Sequence, residues 1–218
     1  MDAQPLYEHR FDAAERAAKA RVWSVLCADF FQRWVRPTDT VLDLGAGFCE
    51  FINHIGCATK YAVDSNPEIS ALAAPGVVTH CGPAHELEWV GGQVDVVFTS
   101  NFFEHMPDKA MVLTTLHAVH RVLRPGGRLL ILQPNIRYAY REYWDFLDHH
   151  VPLSHLSMLE ALALTGFAAT EVRPRFLPST TKSAFPQWPI LVRIYLRCPP
   201  LQWLFGKQMF IVAEKRGA

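Results

Sequence analysis

Short apolar runs alternate along the chain with longer segments in which apolar positions recur at helical spacing. The apolar runs predict strands, and the recurring positions predict helices between them. The predicted strands cover residues 40–44, 61–64, 77–80, 94–99, 128–132, 168–172 and 208–214, and predicted helices include 49–55, 107–123 and 156–164. Because the early strands are continuously apolar and alternate with helices, we expect an α/β fold with a parallel sheet covered by helices on both faces.

A helical segment is also predicted before the first strand. Phe11, Asp12 and Glu15 are typical of a helix start with a capping box and a hydrophobic staple, and Pro37 is expected to end this helix. Further along, residues 125–127 (Pro-Gly-Gly) predict a tight turn directly before the fifth strand.

Residues 185–205 form a second departure from simple alternation, between the last two predicted strands. They hold too many apolar and aromatic side chains for a plain hairpin loop. Pro189 is expected to start a helix, which Pro199 and Pro200 would stop. This helix either covers exposed core beside the sheet or presents an apolar surface to a membrane interface, a lipid-linked acceptor or a second subunit.

Composition narrows the class of protein. Lys plus Arg number 21 and Asp plus Glu number 21, so the formal net charge is zero and no nucleic acid partner is expected. The five cysteines show no Cys-x-x-Cys spacing and are expected to be reduced thiols. No signal peptide and no membrane-spanning run are predicted, so we expect a cytoplasmic protein, with peripheral membrane contact only through 185–205.

A candidate nucleoside site follows the first two strands. Gly45 and Gly47 allow a sharp strand-to-helix turn with close approach of a ligand, and Asp64 ends the next strand, where a carboxylate accepts hydrogen bonds from ribose hydroxyls. Glu50 stands where a dinucleotide fingerprint has its third glycine, which disfavours pyrophosphate and a nicotinamide oxidoreductase. Asp43 suits a cationic ligand. The alternative is that these residues only form a turn.

Four segments resemble motifs of the class I S-adenosylmethionine-dependent methyltransferases, in particular the small-molecule subgroup called type 11. They are 41–47 (VLDLGAG), 63–64 (VD), 95–105 (DVVFTSNFFEH) and 121–129 (RVLRPGGRL). The chain departs from the family pattern at Cys49, where a third glycine is common. It departs again at 82–84 (Gly-Pro-Ala), where an Asp-Ala pair near the adenine is common.

The resemblance implies a seven-stranded Rossmann-like methyltransferase sheet that binds S-adenosylmethionine. Carried over by position, the expected cofactor residues are Asp43, Gly45, Gly47, Asp64, Ser65, Asn66, Ala84, Asn101, Phe102 and Phe103. We expect a single domain over 1–218: an N-terminal helical cap (1–37), the cofactor-binding core (38–135), acceptor-side elements with a helical insertion (136–207), and the last strand (208–218).

Methyl transfer is an in-line displacement that mainly needs alignment of acceptor and methyl, and a hydroxyl or amine acceptor must also lose a proton. The candidate catalytic bases are His105, His149, His150 and His155, and the candidate substrate-binding residues are Tyr138 and Tyr143. No metal is expected, because no His-x₃-His or Cys-x₂-Cys spacing occurs.

The acceptor is expected to be a small molecule or a glycan- or lipid-linked compound, methylated at oxygen or nitrogen. This ranking rests on a similarity of 133–138 (QPNIRY) and 177–183 (LPSTTKS) to bacterial methyltransferases of polysaccharide and glycolipid biosynthesis. The alternative is a non-catalytic protein that binds S-adenosylmethionine or serves as a scaffold with the same fold. Turnover of the cofactor separates the two.

Overall fold

A seven-stranded sheet forms the centre of the protein. The computed structural model describes residues 13–178 and 188–217, with side chains from residue 16 onward. The strands are β1 Thr40–Leu44, β2 Thr59–Asp64, β3 Val77–Cys81, β4 Val94–Ser100, β5 Leu123–Pro134, β6 Phe167–Arg173 and β7 Gln208–Lys215. Their order is β3-β2-β1-β4-β5-β7-β6, and β7 runs antiparallel to both of its neighbours. The predicted α/β fold is confirmed, with its last strand reversed.

Helices cover both faces of this sheet. They are α1 Ala13–Asp29, α2 Glu50–His54, α3 Ile69–Leu72, α4 Lys109–Val122, α5 Ile136–Ala139, α6 His155–Leu164, α7 Pro189–Arg197 and α8 Pro199–Phe205, and 3₁₀ turns occur at Phe31–Trp34, Phe103–His105 and Tyr143–Asp145. Val41 enters the core beneath α1, whereas its neighbour Leu42 enters the core beneath α4. This period-two alternation builds one apolar layer on each face.

The first helix ends earlier than predicted. The capping residues Phe11 and Asp12 lie outside the described residues, but α1 stops at Asp29, well before Pro37, and a 3₁₀ turn follows. Phe30 and Phe31 are both fully buried, with ring centroids 5.3 Å apart. Phe30 lies between α1 and the 3₁₀ turn with φ −128° and ψ −64°, so the chain leaves the helical path there and both rings enter the same core.

The predicted turn at 125–127 lies inside β5 rather than before it. Leu123 pairs with Val94 and Arg128 pairs with Val96, so the chain bulges between these two pairs. Gly126 has a φ of +70°, which a glycine adopts without steric cost. The bulge lets the strand start directly after α4 and still enter the sheet in register.

The insertion before β7 forms two helices, because the prolines that stop α7 also start α8. The inner side of α7 buries Leu196 in the core beneath α1, and the Tyr195 hydroxyl donates to the Phe176 carbonyl at 2.6 Å. Its outer side is apolar and exposed. Phe185 lies outside the described residues. None of the described helices is long and apolar enough to cross a bilayer.

The sheet topology brings the candidate site together at one edge. The parallel strands β1, β2, β4 and β5 all end there, and antiparallel β7 begins there, with Gln208 paired to Pro134. In open α/β sheets ligands bind outside the carboxyl ends of the strands. The residues that follow these strands are therefore the ones to examine.

Candidate active site

The loop after β1 is folded against the end of β2. The Gly45 and Ala46 N–H groups both donate to the Val63 carbonyl, at 2.9 and 3.0 Å. Gly45 has a φ of +70° and Gly47 a φ of +54°, so both occupy the left-handed region that favours glycine. The two glycines were predicted for this turn, and the backbone conformation explains why they are needed.

Asp64 is held in one orientation by backbone donors. Its Oδ2 accepts from the Gly47 N–H and its Oδ1 from the Asn66 N–H, both at 2.8 Å. The carboxylate therefore joins the first motif to the second strand, and each oxygen keeps lone-pair capacity for a further donor such as a ribose hydroxyl. Asn66 Oδ1 accepts from the Glu68 N–H, which makes an Asx turn. Ser65 is exposed beside it.

Asp43 is a buried carboxyl beneath this loop. It accepts the Ile52 N–H at 3.3 Å, so it also fixes the first turn of α2. Burial raises the pKa of Asp43 well above its usual range, and the neighbouring charges of Glu50 and Asp64 raise it further. A cation placed beside Asp43 would offset the cost of burying its negative charge. This agrees with the cationic ligand expected from the sequence.

Two non-glycine residues at this edge adopt the left-handed conformation. Cys49 has a φ of 61°, which accounts for the glycine that the family often has at this position. Asn101 has a φ of 48°, and its Oδ1 accepts from Gln208 Nε2 at 3.3 Å. Such a conformation costs about 1 to 2 kcal/mol and is commonly found at functional sites.

Of the two phenylalanines after β4, only Phe102 faces the loop. A Cβ added to Gly45 would lie 2.3 Å from Phe102 Cδ2, so the ring covers the glycine directly. Phe103 is 0 % exposed and packs in the core, so only its backbone is left to face the sulfonium, and its role there stays a prediction. Ala84, the expected adenine neighbour, is likewise buried against the core and has only its backbone to offer a ligand.

Two of the four candidate histidines lie together. His105 follows β4, and its Nδ1 lies 3.0 Å from the Asp148 carbonyl and 3.2 Å from Asp148 Oδ2. His149 Nδ1 lies 2.9 Å from the Tyr143 carbonyl, and the two imidazole centroids are 5.1 Å apart. Since each Nδ1 faces oxygen acceptors, each must carry a proton there, and the neutral ring has its lone pair on Nε2.

Glu104 lies beside these histidines and was not predicted. It is 1 % exposed, and its Oε2 accepts from Gln133 Nε2 at 2.6 Å. Burial raises the pKa of Glu104, while the nearby His105 lowers it. Tyr143, predicted to bind substrate, is 2 % exposed and packs against His149, so its substrate role stays a prediction.

The other two histidines lie apart from this cluster. His150 is exposed and contributes only its backbone N–H, which donates to the Glu104 carbonyl at 2.7 Å. Asn135 Nδ2 donates to the Pro174 carbonyl, which identifies it as the amide nitrogen of that side chain. His155 Nδ1, 3.0 Å from the same nitrogen, therefore accepts a hydrogen bond from it. The neutral ring then carries its proton on Nε2, which makes His155 a donor towards a ligand instead of a base.

Tyr138 lies beside His155. The two rings are nearly parallel, with centroids 6.5 Å apart, and the Arg175 guanidinium lies 4.8 Å from the centroid of Tyr138. Burial lowers the pKa of His155, and the positive charge of Arg137 lowers it further. Tyr138 and His155, which were predicted separately, lie near each other beyond the end of β5, on the side away from the β1 loop.

Known proteins share the central part of this architecture. Residues 42–131 match the family model described as a methyltransferase domain. The chain carries a methyltransferase domain. The match begins within β1 and includes both loop glycines, Asp64 and the His105 turn. The class I recognition made from the sequence is confirmed, and the domain and its fold imply S-adenosylmethionine as the cofactor.

Solved structures resemble this chain over nearly its whole length. An S-adenosylmethionine-dependent methyltransferase of Archaeoglobus fulgidus is 21 % identical, with a TM-score of 0.68 over 98 % of this chain and 100 % of its own. The Haloferax volcanii protein solved with the Trm112 methyltransferase activator is 20 % identical, with a TM-score of 0.68 over 94 % and 95 %. At these identities the likeness establishes the fold.

A curated relative matches the sequence itself. It is an uncharacterised 37.1 kDa protein in transposon TN4556 of Streptomyces fradiae, 30 % identical over 128 residues, which cover 54 % of this chain and 34 % of the relative. The chain therefore spans about a third of that relative's length.

Sequence reasoning missed several polar residues at this edge: Glu104, Gln133, Asn135, Asp148 and Gln208. Gln133 and Asn135 lie at the end of apolar strand β5, and Glu104 lies in the 3₁₀ turn shortly after β4, and that position was the available signal. Their burial could not be read from the sequence, because it depends on the chain that packs over them.

Replacing Asp64 by alanine is expected to weaken S-adenosylhomocysteine binding about 10- to 100-fold, measured by calorimetry. The variant removes the acceptor for the ribose hydroxyls and releases the Gly47 and Asn66 N–H groups, a loss of about 1 to 3 kcal/mol. Asp95→Ala is the matched control, since Asp95 accepts the Thr40 N–H at the opposite edge of the sheet. Equal affinity in the two variants would show that Asp64 does not hold the ribose.

Proposed function

We propose that the protein transfers the methyl group of S-adenosylmethionine to an oxygen or nitrogen of a small-molecule or glycan- or lipid-linked acceptor. The observation that carries this proposal is the hydrogen bond from Gly47 to Asp64, which unites both halves of the nucleoside site within the methyltransferase domain. Because the sulfonium is already a good leaving group, the remaining tasks are alignment and removal of the acceptor proton.

The cluster beside β4 is the group that we assign to acceptor activation. His105 has its lone pair on Nε2, and the Asp148 carboxylate and carbonyl hold Nδ1 in the protonated state. An imidazole oriented in this way by a carboxylate is suited to take a proton. His155, with a proton on Nε2, donates to the acceptor and orients it.

The surface of α7 and α8 favours a lipid-linked acceptor. The Arg175 guanidinium lies 4.8 Å from the Tyr138 ring centroid and 5.4 Å from that of Trp203, so it joins the acceptor side of the site to α8. The exposed apolar residues of the two helices and the residue before them are Trp188, Ile190, Leu191, Ile194, Trp203, Leu204 and Phe205.

This apolar surface has the composition of a membrane interface. Trp203 is 70 % exposed, and the cationic Arg197 lies on the same short helix as Ile190 and Ile194, whereas Arg193 is paired with Asp29 at 2.9 Å. Aromatic and aliphatic residues beside cations suit the headgroup boundary of an anionic bilayer. An acceptor anchored in that bilayer would reach the site along Arg175.

Introducing aspartate at Ile194 and Trp203 together is expected to reduce binding to vesicles of anionic phospholipid at least tenfold in a flotation assay. The two charges must then be placed in the apolar interface, while Tyr195, which bonds the Phe176 carbonyl, is left untouched. S-adenosylhomocysteine affinity should not change.

The control for this experiment is Leu164→Asp, which charges an equally exposed apolar residue at the end of α6. It should leave vesicle binding as in the wild type. Loss of self-association instead of vesicle binding would assign the surface to a second subunit, and unfolding of the double variant would assign it to the core.

The activity itself is tested by acceptor-dependent release of S-adenosylhomocysteine. Methyl-labelled cofactor is incubated with lipid extracts, glycans and small hydroxyl compounds, and labelled product is identified by mass spectrometry. We expect label in an extractable lipid or glycan. Tight cofactor binding with no labelled product in any fraction would favour a scaffold protein that keeps the fold.

A further inference from the structure

We propose that Glu104, His105 and His149 bind a divalent transition-metal ion beside the methyl-transfer site. One ligand atom of each of the three side chains lies within 4.8 Å of those of the other two. Glu104 and His149 are 45 residues apart in the sequence, so no short ligand spacing in the sequence predicts this metal site. Two imidazoles and one carboxylate form a donor set that suits Zn²⁺, Co²⁺, Fe²⁺ or Mn²⁺ better than Mg²⁺ or Ca²⁺.

The surroundings of the two histidines match those of metal-binding histidines. In such sites the nitrogen that does not bind metal donates to a carboxylate or a backbone carbonyl, which fixes the ring and its tautomer. His105 meets this condition through Asp148, at 3.0 Å to the carbonyl and 3.2 Å to the carboxylate. His149 meets it through the Tyr143 carbonyl at 2.9 Å. Both rings therefore direct the lone pair of Nε2 away from these partners.

The backbone holds the two ligand segments against each other. The Glu104 carbonyl accepts the His150 N–H at 2.7 Å and the Val151 N–H at 3.1 Å. These bonds tie the loop that carries His149 to the 3₁₀ turn that carries Glu104 and His105. The three side chains thus need no large rearrangement to meet one ion.

Tyr143 provides a second, independent observation. It is 2 % exposed, its ring centroid is 4.6 Å from that of His149, and the charge of Glu104 acts on its hydroxyl. Among the described residues, this hydroxyl has no hydrogen-bond partner. A buried hydroxyl without a partner costs about 1 to 3 kcal/mol, and water bound to an ion at the cluster would supply one.

Three protein ligands leave coordination positions for water or substrate, which is the arrangement of catalytic rather than structural metal sites. If the proposed methyl transfer holds, an acceptor hydroxyl bound there would lose its proton to solvent more readily, because the ion stabilises the alkoxide. His105 Nε2, occupied by the ion, would then act as a ligand instead of taking the proton itself. The existence of the site does not depend on that role, so binding and turnover are measured separately.

The test uses the full chain with Cys81→Ser, since Cys81 is exposed and its thiol is a competing ligand. After chelator treatment, Co²⁺ is added and followed by calorimetry and visible absorption, with no acceptor present. We expect one ion per chain and a rise in melting temperature of about 5 to 10 °C at a hundredfold excess over Kd.

The variants separate metal binding from mere packing. His149→Ala should lower Co²⁺ affinity at least a hundredfold, and Asp148→Asn should lower it about tenfold to a hundredfold with all ligands intact. The neighbouring, exposed His150→Ala is the matched control and should bind Co²⁺ as the parent does. S-adenosylhomocysteine affinity in each variant verifies that the protein is folded.

Absence of saturable Co²⁺ binding, or equal affinity in His149→Ala and His150→Ala, would overturn the metal site and leave a hydrogen-bonded cluster that only fixes the loop. Full turnover by the chelated protein together with no Co²⁺ binding rejects the metal and leaves the methyl transfer standing. One-to-one binding without turnover of any acceptor leaves the metal site standing and rejects the proposed function.

Discussion

Replacing Gly45 by valine is expected to lower S-adenosylhomocysteine affinity by two orders of magnitude or more while the protein remains folded. Gly45 has a φ of +70°, and a Cβ there would lie 2.3 Å from Phe102 Cδ2. A left-handed side chain costs about 1 to 2 kcal/mol and an overpacked contact about 1 to 3 kcal/mol, and both are relieved only by moving the loop or the ring. Either movement displaces the surface that faces the cofactor.

Gly76→Val is the control for backbone strain alone. Gly76 has a φ of +91°, a Cβ there would meet nothing within 4 Å, and the residue precedes β3 at the opposite edge of the sheet. This variant should lose thermal stability and keep wild-type affinity in calorimetry. Wild-type affinity in Gly45→Val itself would show that the loop after β1 does not contact the cofactor.

Replacing His105 by glutamine is expected to lower turnover with the true acceptor about 10²- to 10⁴-fold, the range for loss of a positioned proton acceptor. The variant removes the Nε2 lone pair, which serves either proton removal or metal binding, and also the contact with Asp148. Cofactor affinity should stay unchanged, because Asp64 and the glycine loop are not altered. The measurement is a steady-state rate with labelled cofactor alongside calorimetry.

His150→Gln is the matched control for His105→Gln, since His150 is exposed and uses only its backbone N–H at this site. Asp148→Asn should fall between the two, because it keeps the imidazole and loses the carboxylate that orients it. If His105→Gln keeps full turnover, acceptor activation belongs elsewhere, and the Tyr138 and His155 side of the site becomes the place to search.

The sequence determined the parts of this site that depend on local backbone conformation. Gly45 and Gly47 predicted the left-handed turn that the structure shows, and Asp64, at the tip of the next strand, is predicted to bind the ribose. Both follow because parallel strands end at one edge of a sheet. The alternation of strands and helices predicted the fold for the same reason, since it reflects spacings of a few residues that a linear sequence displays directly.

The tertiary structure alone decided which residues meet across long separations. It placed Glu104 beside His149, buried Phe103 and Tyr143, and gave His155 a proton on the nitrogen opposite Asn135. Local patterns identify an apolar or a titratable residue but not the partner that fixes its tautomer or covers its surface. Those properties are set by packing between segments that are far apart in the sequence, such as the turn after β4 and the loop of His149.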